Sequence, residues 1–256
     1  MLSYQHAYHA GNLADLHKHA LLASMLAYMV QKPKPLSYME THAGRALYDL
    51  SDPAAIRTGE AEAGINRALR EGWLPPDHPL AAALAATRAQ YGDAAYPGSP
   101  LIARHFLRPD DRMDLAELHP AEAEALAAVM VGAQIHRQDG FVMANALCPP
   151  VPRRGLLLVD PSYEVKSDYR AIPAFIRKIA RKWNVGTIAL WYPLLSDARQ
   201  MAMADEVAGM GALRHEVRFP ALRPGHNMVG SGMIVVNPPF GLEDEAARLT
   251  AILGAI

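Results

Sequence analysis

Several features that mark particular classes of protein are absent from this sequence of 256 residues. It contains one cysteine, Cys148, which excludes an internal disulfide and fits a reducing compartment. No apolar run is long enough to span a membrane and the N-terminus has no signal-peptide pattern, so we expect a cytoplasmic protein with no membrane partner. The formal net charge is −1, so binding to a nucleic acid would have to depend on local basic patches.

Motifs for metals and dinucleotides are also missing. The N-terminal region contains His6, His9, His17 and His19, whose pairwise spacings resemble those of metal ligands. There is no HExxH or CxxC pattern and no second group of ligands downstream, so we expect no metal. The letters T-H-A-G at 41–44 do not match G-x-G-x-x-G, so they identify no dinucleotide site.

The N-terminal region leads into a predicted helix. Leucines and methionines at helical spacing predict a helix over 13–30, which Asn12 would cap and Pro33 would end. Polar and aromatic side chains just before a helix N-terminus can form a cradle for an anion or a substrate. A surface arm with an ordinary capping network explains the same residues, and the sequence leaves both interpretations open.

The rest of the chain alternates between strand and helix patterns, which predicts an α/β fold with a parallel sheet. Seven strands are predicted, at 36–40, 112–117, 133–137, 155–159, 185–191, 213–219 and 232–236. Helices are predicted at 101–107, 121–130, 168–183, 196–210 and 243–253. Residues of about 46–95 are rich in Ala, Glu and Arg, which indicates a helical subdomain, or a surface excursion, inserted into a single domain spanning 1–256.

Acidic residues follow several predicted strands at the edge where parallel strands end. Glu117 is the last residue of the second strand, whereas Asp139 follows the third and Asp160 the fourth. Open α/β sheets bind ligands at this edge, and carboxylates accept hydrogen bonds from ribose hydroxyls and from amines. This order resembles the class I S-adenosylmethionine-dependent methyltransferases, which have a Rossmann-like seven-stranded sheet.

Two tetrads have the amino-methyltransferase form, in which Asp or Asn precedes Pro, any residue and an aromatic residue. Asn237 opens one after the seventh strand, which is antiparallel in this topology and remote from the donor. The other, Asp160-Pro161-Ser162-Tyr163, follows the fourth strand, so position favours it as the catalytic tetrad. We expect the Asp160 carboxylate and the Pro161 carbonyl to accept the two N–H groups of adenine N6. Tyr163 would stack on the base.

Motifs along the whole chain resemble the J-type large-subunit ribosomal RNA methyltransferases, which form N6-methyladenine in 23S rRNA. They include S-Y-x-H-x-x-H-A-G-N at 3–12, T-H-A-G at 41–44, Y-P-G-S-P-L-I-A-R at 96–104, E-L-H-P at 117–120, L-W-Y-P at 190–193 and S-G-M-I-V-V-N-P-P at 231–239. The resemblance implies that S-adenosylmethionine is bound by Lys18, His19, His42, Ser99, Glu117, Asp139 and Gly140. It also implies that Asp160 is catalytic and that Tyr4 contacts the substrate base.

The same resemblance implies 23S rRNA as the partner, before or early in subunit assembly, and we expect a monomer. The family tetrad is usually D-P-P-Y, and Ser162 replaces its second proline in this chain. That replacement frees a backbone N–H and loosens the loop.

Two other functions are compatible with these residues. An amino-methyltransferase that acts on DNA, or on cytosine N4, would use the same tetrad because both amines are conjugated to a ring. A non-catalytic nucleic-acid binder could also retain this scaffold, although its intact acidic residues argue against a loss of catalytic activity.

The helix predicted over 168–183 has a basic surface. This surface would contact phosphates, or it is a solvated face without a partner.

Overall fold

The computed structural model describes residues 6–220 and 227–255. Within these ranges the strands are β1 (Ser37–Glu40), β2 (Leu47–Asp49), β3 (Ala95–Pro97), β4 (Arg112–Ala116), β5 (Gln134–His136), β6 (Gly155–Val159), β7 (Thr187–Leu195), β8 (Leu213–Arg218) and β9 (Met228–Val236). The α-helices are α1 (Leu13–Met29), α2 (Pro53–Thr58), α3 (Arg67–Arg70), α4 (Pro79–Tyr91), α5 (Ser99–Phe106), α6 (Pro120–Val129), α7 (Gly140–Leu147), α8 (Asp168–Lys182), α9 (Met201–Ala208) and α10 (Leu242–Leu253). A 3-10 turn spans His6–Tyr8 and a π-helical turn spans Glu62–Asn66.

The main sheet has seven strands in the order β5-β4-β1-β6-β7-β9-β8. The strands from β5 to β7 run parallel, and β9 is antiparallel to both of its neighbours. The chain builds outward from β1 through β4 and β5, and then outward from β6 in the opposite direction, so the order reverses between β1 and β6. Ligands bind beyond the carboxyl ends of strands at such a reversal. The predicted Rossmann-like seven-stranded sheet is confirmed.

Two apolar cores lie on opposite faces of this sheet. One is built with α1, α4, α5, α6 and α10, and the other with α7, α8 and α9. Helix α1 contacts α4, α5, α10 and β9, so it is buried on nearly every side. Each leucine that it buries contributes about 1.5–3 kcal/mol to folding. Its N-terminal half also buries Asp15, His17, Lys18 and His19, and buried polar groups of this kind require partners.

Helix α8 has the amphipathic character that its sequence predicts. Ile172, Ile176 and Ile179 are fully buried against the second core, whereas Lys178 and Arg181 are exposed. A helix with one apolar stripe and one charged face is typical of the surface of a globular domain. No helix in the described parts of the chain is both long and apolar enough to cross a membrane.

The segment between β1 and α5 contains α2, the π-helical turn, α3 and α4, and it begins and ends in strands that the sequence does not predict. Strands β2 and β3 form an antiparallel pair in which Tyr48 lies opposite Tyr96. Each strand has only three residues, which is too short to show an alternating pattern.

Three predicted boundaries in the last third of the chain are wrong. The strand predicted to end at residue 191 continues to Leu195. The helix predicted over 196–210 begins only at Met201, because Ala198 adopts a left-handed φ of 56° that a helix interior excludes. The last strand begins at Met228 rather than at residue 232. Gly230 and Ser231 lack an apolar signal, yet both pair with β7 in the ladder.

Candidate active site

A cavity of about 500 Å³ opens at the carboxyl ends of β1 and β6. This volume lies within the range of small-molecule sites. The predicted site residues that line the cavity are Lys18, His19, His42, Ser99, Glu117, Asp160 and Pro161. Its wall also includes residues that the sequence does not assign to the site, among them Asp15 and Trp191. The fold therefore brings most of the predicted set together.

The turn after β1 forms one wall and is tied to the neighbouring strands. Thr41 N–H donates to the Leu158 carbonyl at 3.0 Å, and Gly44 N–H donates to Glu117 Oε2 at 2.9 Å. The other oxygen of Glu117 accepts a 2.7 Å bond from the backbone of His119. Because a carboxylate offers about four acceptor positions, Glu117 retains capacity toward the cavity.

A buried carboxyl group lies directly behind this wall, at the last residue of β1. Glu40 is fully buried and accepts hydrogen bonds from the hydroxyls of Tyr38, at 2.9 Å, and of Ser99. Burial raises the pKa of Glu40 to about 8, although both hydrogen bonds oppose the rise. Ser99, predicted to contact the donor, therefore also anchors the start of α5 to β1.

The side chain of Lys18 reaches from α1 to the Asp160 tetrad (residues 160–163). Its Nζ lies 2.6 Å from Asp160 Oδ2 and 3.1 Å from Asp15 Oδ1. Burial alone would lower the pKa of Lys18, but Asp160 and Asp15 outweigh it and hold this pKa above its ordinary value. Burial would raise the pKa of Asp15, but His6 and Lys18 hold it well below its usual range. A positive charge is therefore held between two carboxylates in the cavity wall.

The two predicted histidine contacts are both uncharged at neutral pH. Burial lowers the pKa of His19 to about 3, and the nearby Lys18 ammonium reinforces the shift. The Nδ1 atom of His19 lies 2.9 Å from the Tyr96 hydroxyl. Burial also lowers the pKa of His42, whose Nδ1 lies 2.8 Å from Thr41 Oγ1. Neutral imidazoles can offer either a donor or an acceptor to a polar ligand.

The aromatic residue of the Asp160 tetrad does not line the cavity. Tyr163 is 8 % exposed, and its hydroxyl donates to the carbonyl of Trp191 at 2.6 Å. Trp191 lines the cavity instead, with Lys18 Nζ 5.5 Å from its ring centroid and its indole N–H donating to Ser231 Oγ at 2.9 Å. The available signal for Trp191 was the L-W-Y-P motif, which lies within β7, the strand next to β6. The stacking role of Tyr163 stays a prediction.

Asp139 and Gly140 also lie outside the cavity lining. Asp139 caps α7, accepting hydrogen bonds from the backbone of Phe141 at 2.7 Å and of Val142 at 3.1 Å. Gly140 packs so closely on the turn after β1 that a Cβ there would lie 1.8 Å from the Thr41 carbonyl oxygen. Their donor-binding roles stay predictions.

The N-terminal arm (residues 6–12) closes one side of the cavity, which His6 and His9 help to line. As predicted, Asn12 caps α1, and its side-chain oxygen accepts the Asp15 N–H at 2.8 Å. Tyr4, the predicted contact to the substrate base, lies outside the described residues.

The second tetrad lies at the amino ends of the parallel strands, on the side of the sheet away from the cavity. This follows because β9 runs antiparallel to β7 and ends where β7 begins. Asn237 donates its side-chain amide to the carbonyls of Asn184, at 3.2 Å, and Gly186, at 2.9 Å. These bonds make it a structural turn. Among the described residues, no group of three or more His, Cys, Asp or Glu side chains is arranged to hold a metal ion.

Comparison with known proteins identifies the family. Residues 33–255 match the family model described as "Ribosomal RNA large subunit methyltransferase D, RlmJ". The chain belongs to this family. It is therefore a methyltransferase by descent, and the predicted resemblance is confirmed.

Similarity to individual members of the family extends over nearly the whole chain. The chain is 38% identical over 252 residues to "Ribosomal RNA large subunit methyltransferase J" of Escherichia coli, covering 96% of this chain and 90% of that protein. It is 36% identical over 262 residues to the protein of the same name from Haemophilus influenzae, covering 99% and 93%. A crystal structure of a Legionella pneumophila protein superposes with a TM-score of 0.84 at 34% identity, covering 96% and 92%.

Proposed function

We propose that this protein transfers a methyl group from S-adenosylmethionine to the exocyclic N6 of an adenine in 23S rRNA. The observation that carries the proposal is the state of Asp160 in the cavity. Its Oδ2 is held by Lys18 at 2.6 Å, whereas its Oδ1 accepts no hydrogen bond from any described residue. An oriented carboxylate with one open oxygen is suited to accept an N–H from an amine.

The cavity residues fit the methyl donor. Bound there, S-adenosylmethionine supplies an electrophilic methyl group to the acceptor amine. Glu117 has acceptor capacity for ribose hydroxyls, and the neutral His19 and His42 offer donors or acceptors without adding charge. Lys18 and Ser99 would complete the contacts to the polar part of the donor, and Asp139 with Gly140 would contact its adenine.

The acceptor amine needs activation, because the lone pair of adenine N6 is delocalised into the ring. Hydrogen bonds from its two N–H groups to Asp160 Oδ1 and to the Pro161 carbonyl favour a pyramidal nitrogen with its lone pair available. As the new C–N bond forms, the bond between the donor sulfur and the methyl carbon would break and its electron pair would stay on sulfur, leaving neutral S-adenosylhomocysteine. The methylated nitrogen would then carry the positive charge and give up one proton to Asp160 or to solvent. Lys18 keeps the carboxylate in this orientation throughout.

The base must be presented outside a helical stack to reach Asp160. Tyr163 and Tyr4 are the proposed contacts to the base, and a stacking contact contributes about 1–3 kcal/mol. Tyr163 would have to become accessible when the substrate binds, since it is buried and does not line the cavity.

The choice of RNA is supported by the family and by the names of its members, which refer to the large ribosomal subunit. We propose that a monomer acts in the cytoplasm on 23S rRNA before or early in subunit assembly. Its residues of about 46–95 would form a subdomain of one domain, and the exposed basic side chains of α8 would contact phosphates.

The decisive experiment incubates the protein and labelled donor separately with protein-free ribosomal RNA, assembled subunits and DNA. Mass spectrometry of the digested nucleosides should find N6-methyladenosine in the RNA reaction. Label confined to DNA, or label found as N4-methylcytosine, would contradict the proposal. The remaining alternative is a non-catalytic scaffold, which would leave every nucleic acid unmodified. Calorimetry tests it by measuring whether the protein binds the donor.

A further inference from the structure

A buried carboxylate connects the inserted segment to the N-terminal arm beside the cavity. Glu60 lies between α2 and the π-helical turn and is 2 % exposed. Its Oε1 lies 2.9 Å from His9 Nδ1, and its Oε2 accepts a 2.9 Å hydrogen bond from the side-chain amide of Asn12. Both oxygens of one buried group are therefore bound to the arm.

Hydrogen bonds to backbone carbonyls of the arm hold it along the same segment. Thr58 Oγ donates to the Tyr8 carbonyl at 2.8 Å, and Ile65 N–H donates to the Gly11 carbonyl at 2.8 Å. A Cβ at Gly64 would lie 2.1 Å from the Gly11 oxygen, so the two chains touch backbone to backbone. We call this set of contacts, from Thr58 to Ile65, the arm latch.

The arm latch leads to the reacting carboxylate through a short series of polar contacts. Asn12, held by Glu60, caps α1 and binds the Asp15 backbone at 2.8 Å. Asp15 lies 3.1 Å from Lys18 Nζ, which lies 2.6 Å from Asp160 Oδ2. A displacement of Glu60 would therefore shift the first turn of α1 and the ion pair that orients Asp160.

We propose that Glu60 is a positioning residue for methyl transfer, acting through the arm and Lys18 on Asp160. The inference rests on the function proposed above. A buried carboxylate is expensive to desolvate unless its oxygens are hydrogen-bonded. In return its directional bonds to His9 and Asn12 define one position of the arm, which an apolar contact would not do. The inserted segment thereby participates in catalysis from outside the cavity.

The test compares Glu60→Ala, Glu60→Gln and the control Glu62→Ala in the full-length protein. Glu62 lies on the same segment, but its side chain is 63% exposed and pairs with Arg70. We expect Glu60→Ala to lower kcat about tenfold to a hundredfold at saturating donor and rRNA, as misplacement of reacting groups does. Glu60→Gln keeps the shape and the bond to Asn12, so it should restore kcat to within about threefold of wild type, by the modest energy of one hydrogen bond.

Hydrogen exchange measured by mass spectrometry separates positioning from simple destabilisation. Amides of residues 6–12 should exchange faster in Glu60→Ala but not in Glu62→Ala, while the sheet stays protected. The inference is overturned if Glu60→Ala lowers only the melting temperature and leaves kcat at the level of Glu62→Ala. It is equally overturned if Glu60→Gln is as slow as Glu60→Ala. Glu60→Gln keeps the hydrogen bond to Asn12, so equal rates would show that this bond does not position the arm.

A milder variant covers the case in which Glu60→Ala does not fold. Thr58→Ala removes the half-buried hydroxyl that lies 2.8 Å from the Tyr8 carbonyl and 2.9 Å from the Ala55 carbonyl. It should lower kcat about threefold with faster exchange at 6–12, since the arm loses a neutral hydrogen bond. Unchanged kcat and unchanged exchange at 6–12 in Thr58→Ala would refute the inference. If the wild type methylates a nucleic acid other than 23S rRNA, the proposed function fails, and the same variants tested on that substrate still decide the role of Glu60.

Discussion

The buried carboxyl group of Glu40 should make the stability of the protein depend on pH. Burial raises its pKa from 4.5 to about 8, so between these values only the unfolded chain releases this proton. The free energy of unfolding then falls as the pH rises through this window. With about 1.4 kcal/mol for each pH unit, the change between about pH 5 and about pH 7.5 is about 3 kcal/mol.

Glu40→Gln tests this value, since the amide has the same shape and is neutral at every pH. Urea denaturation should show Glu40→Gln gaining about 3 kcal/mol over wild type as the pH rises across that range. Glu62→Gln is the control: the pKa of the exposed Glu62 lies below its ordinary value, so its charge does not change there. A difference between Glu40→Gln and wild type that stays constant with pH would refute the reasoning.

Three further substitutions test the contacts of the Asp160 tetrad. Lys18→Met should cost about 3–5 kcal/mol of unfolding free energy at pH 7, because Asp160 loses its ion-pair partner and the buried Asp15 loses one of its partners. Arg177→Met, at an exposed ion pair, should cost less than about 1 kcal/mol, and equal losses would contradict this. Asp160→Asn should lower kcat at least about a hundredfold while calorimetry still detects donor binding; near-normal turnover would exclude Asp160 as the acceptor of the amine proton. Tyr163→Phe should cost about 1–3 kcal/mol in thermal denaturation, since the carbonyl of the half-buried Trp191 loses the tyrosine hydroxyl as a donor. An unchanged melting temperature would show that solvent replaces this donor.

The position of Asp160 could be predicted because it depends on a local pattern and one general rule. The run at Gly155–Val159 is apolar at every position, and all five residues are buried in the structure. A strand buried on both faces belongs in the middle of a parallel sheet. The residue that follows it must then lie at the ligand-binding edge. The same rule identified the tetrad at Asp160, and not the one at Asn237, as the tetrad at the ligand-binding ends of the strands, although the two are similar in sequence.

Trp191 could not be predicted as a cavity residue, because its place depends on how two strands align. The pairing of Val159 with Leu190 puts Trp191 at the same level as Asp160. A shift of one residue in this register would turn the indole to the other face of the sheet. The sequence contains the L-W-Y-P motif but not the register that gives the motif its place.

By itself the sequence determined the seven strands of the main sheet, the family, and most of the residues that meet at the carboxyl ends of those strands, because each follows from a short-range pattern. Only the tertiary structure decided which side chains share hydrogen bonds across that edge. Lys18 bonds to Asp160, Glu60 to His9, and Tyr163 to the carbonyl of Trp191. These partners lie far apart in the chain, and their contacts depend on packing that no local pattern records.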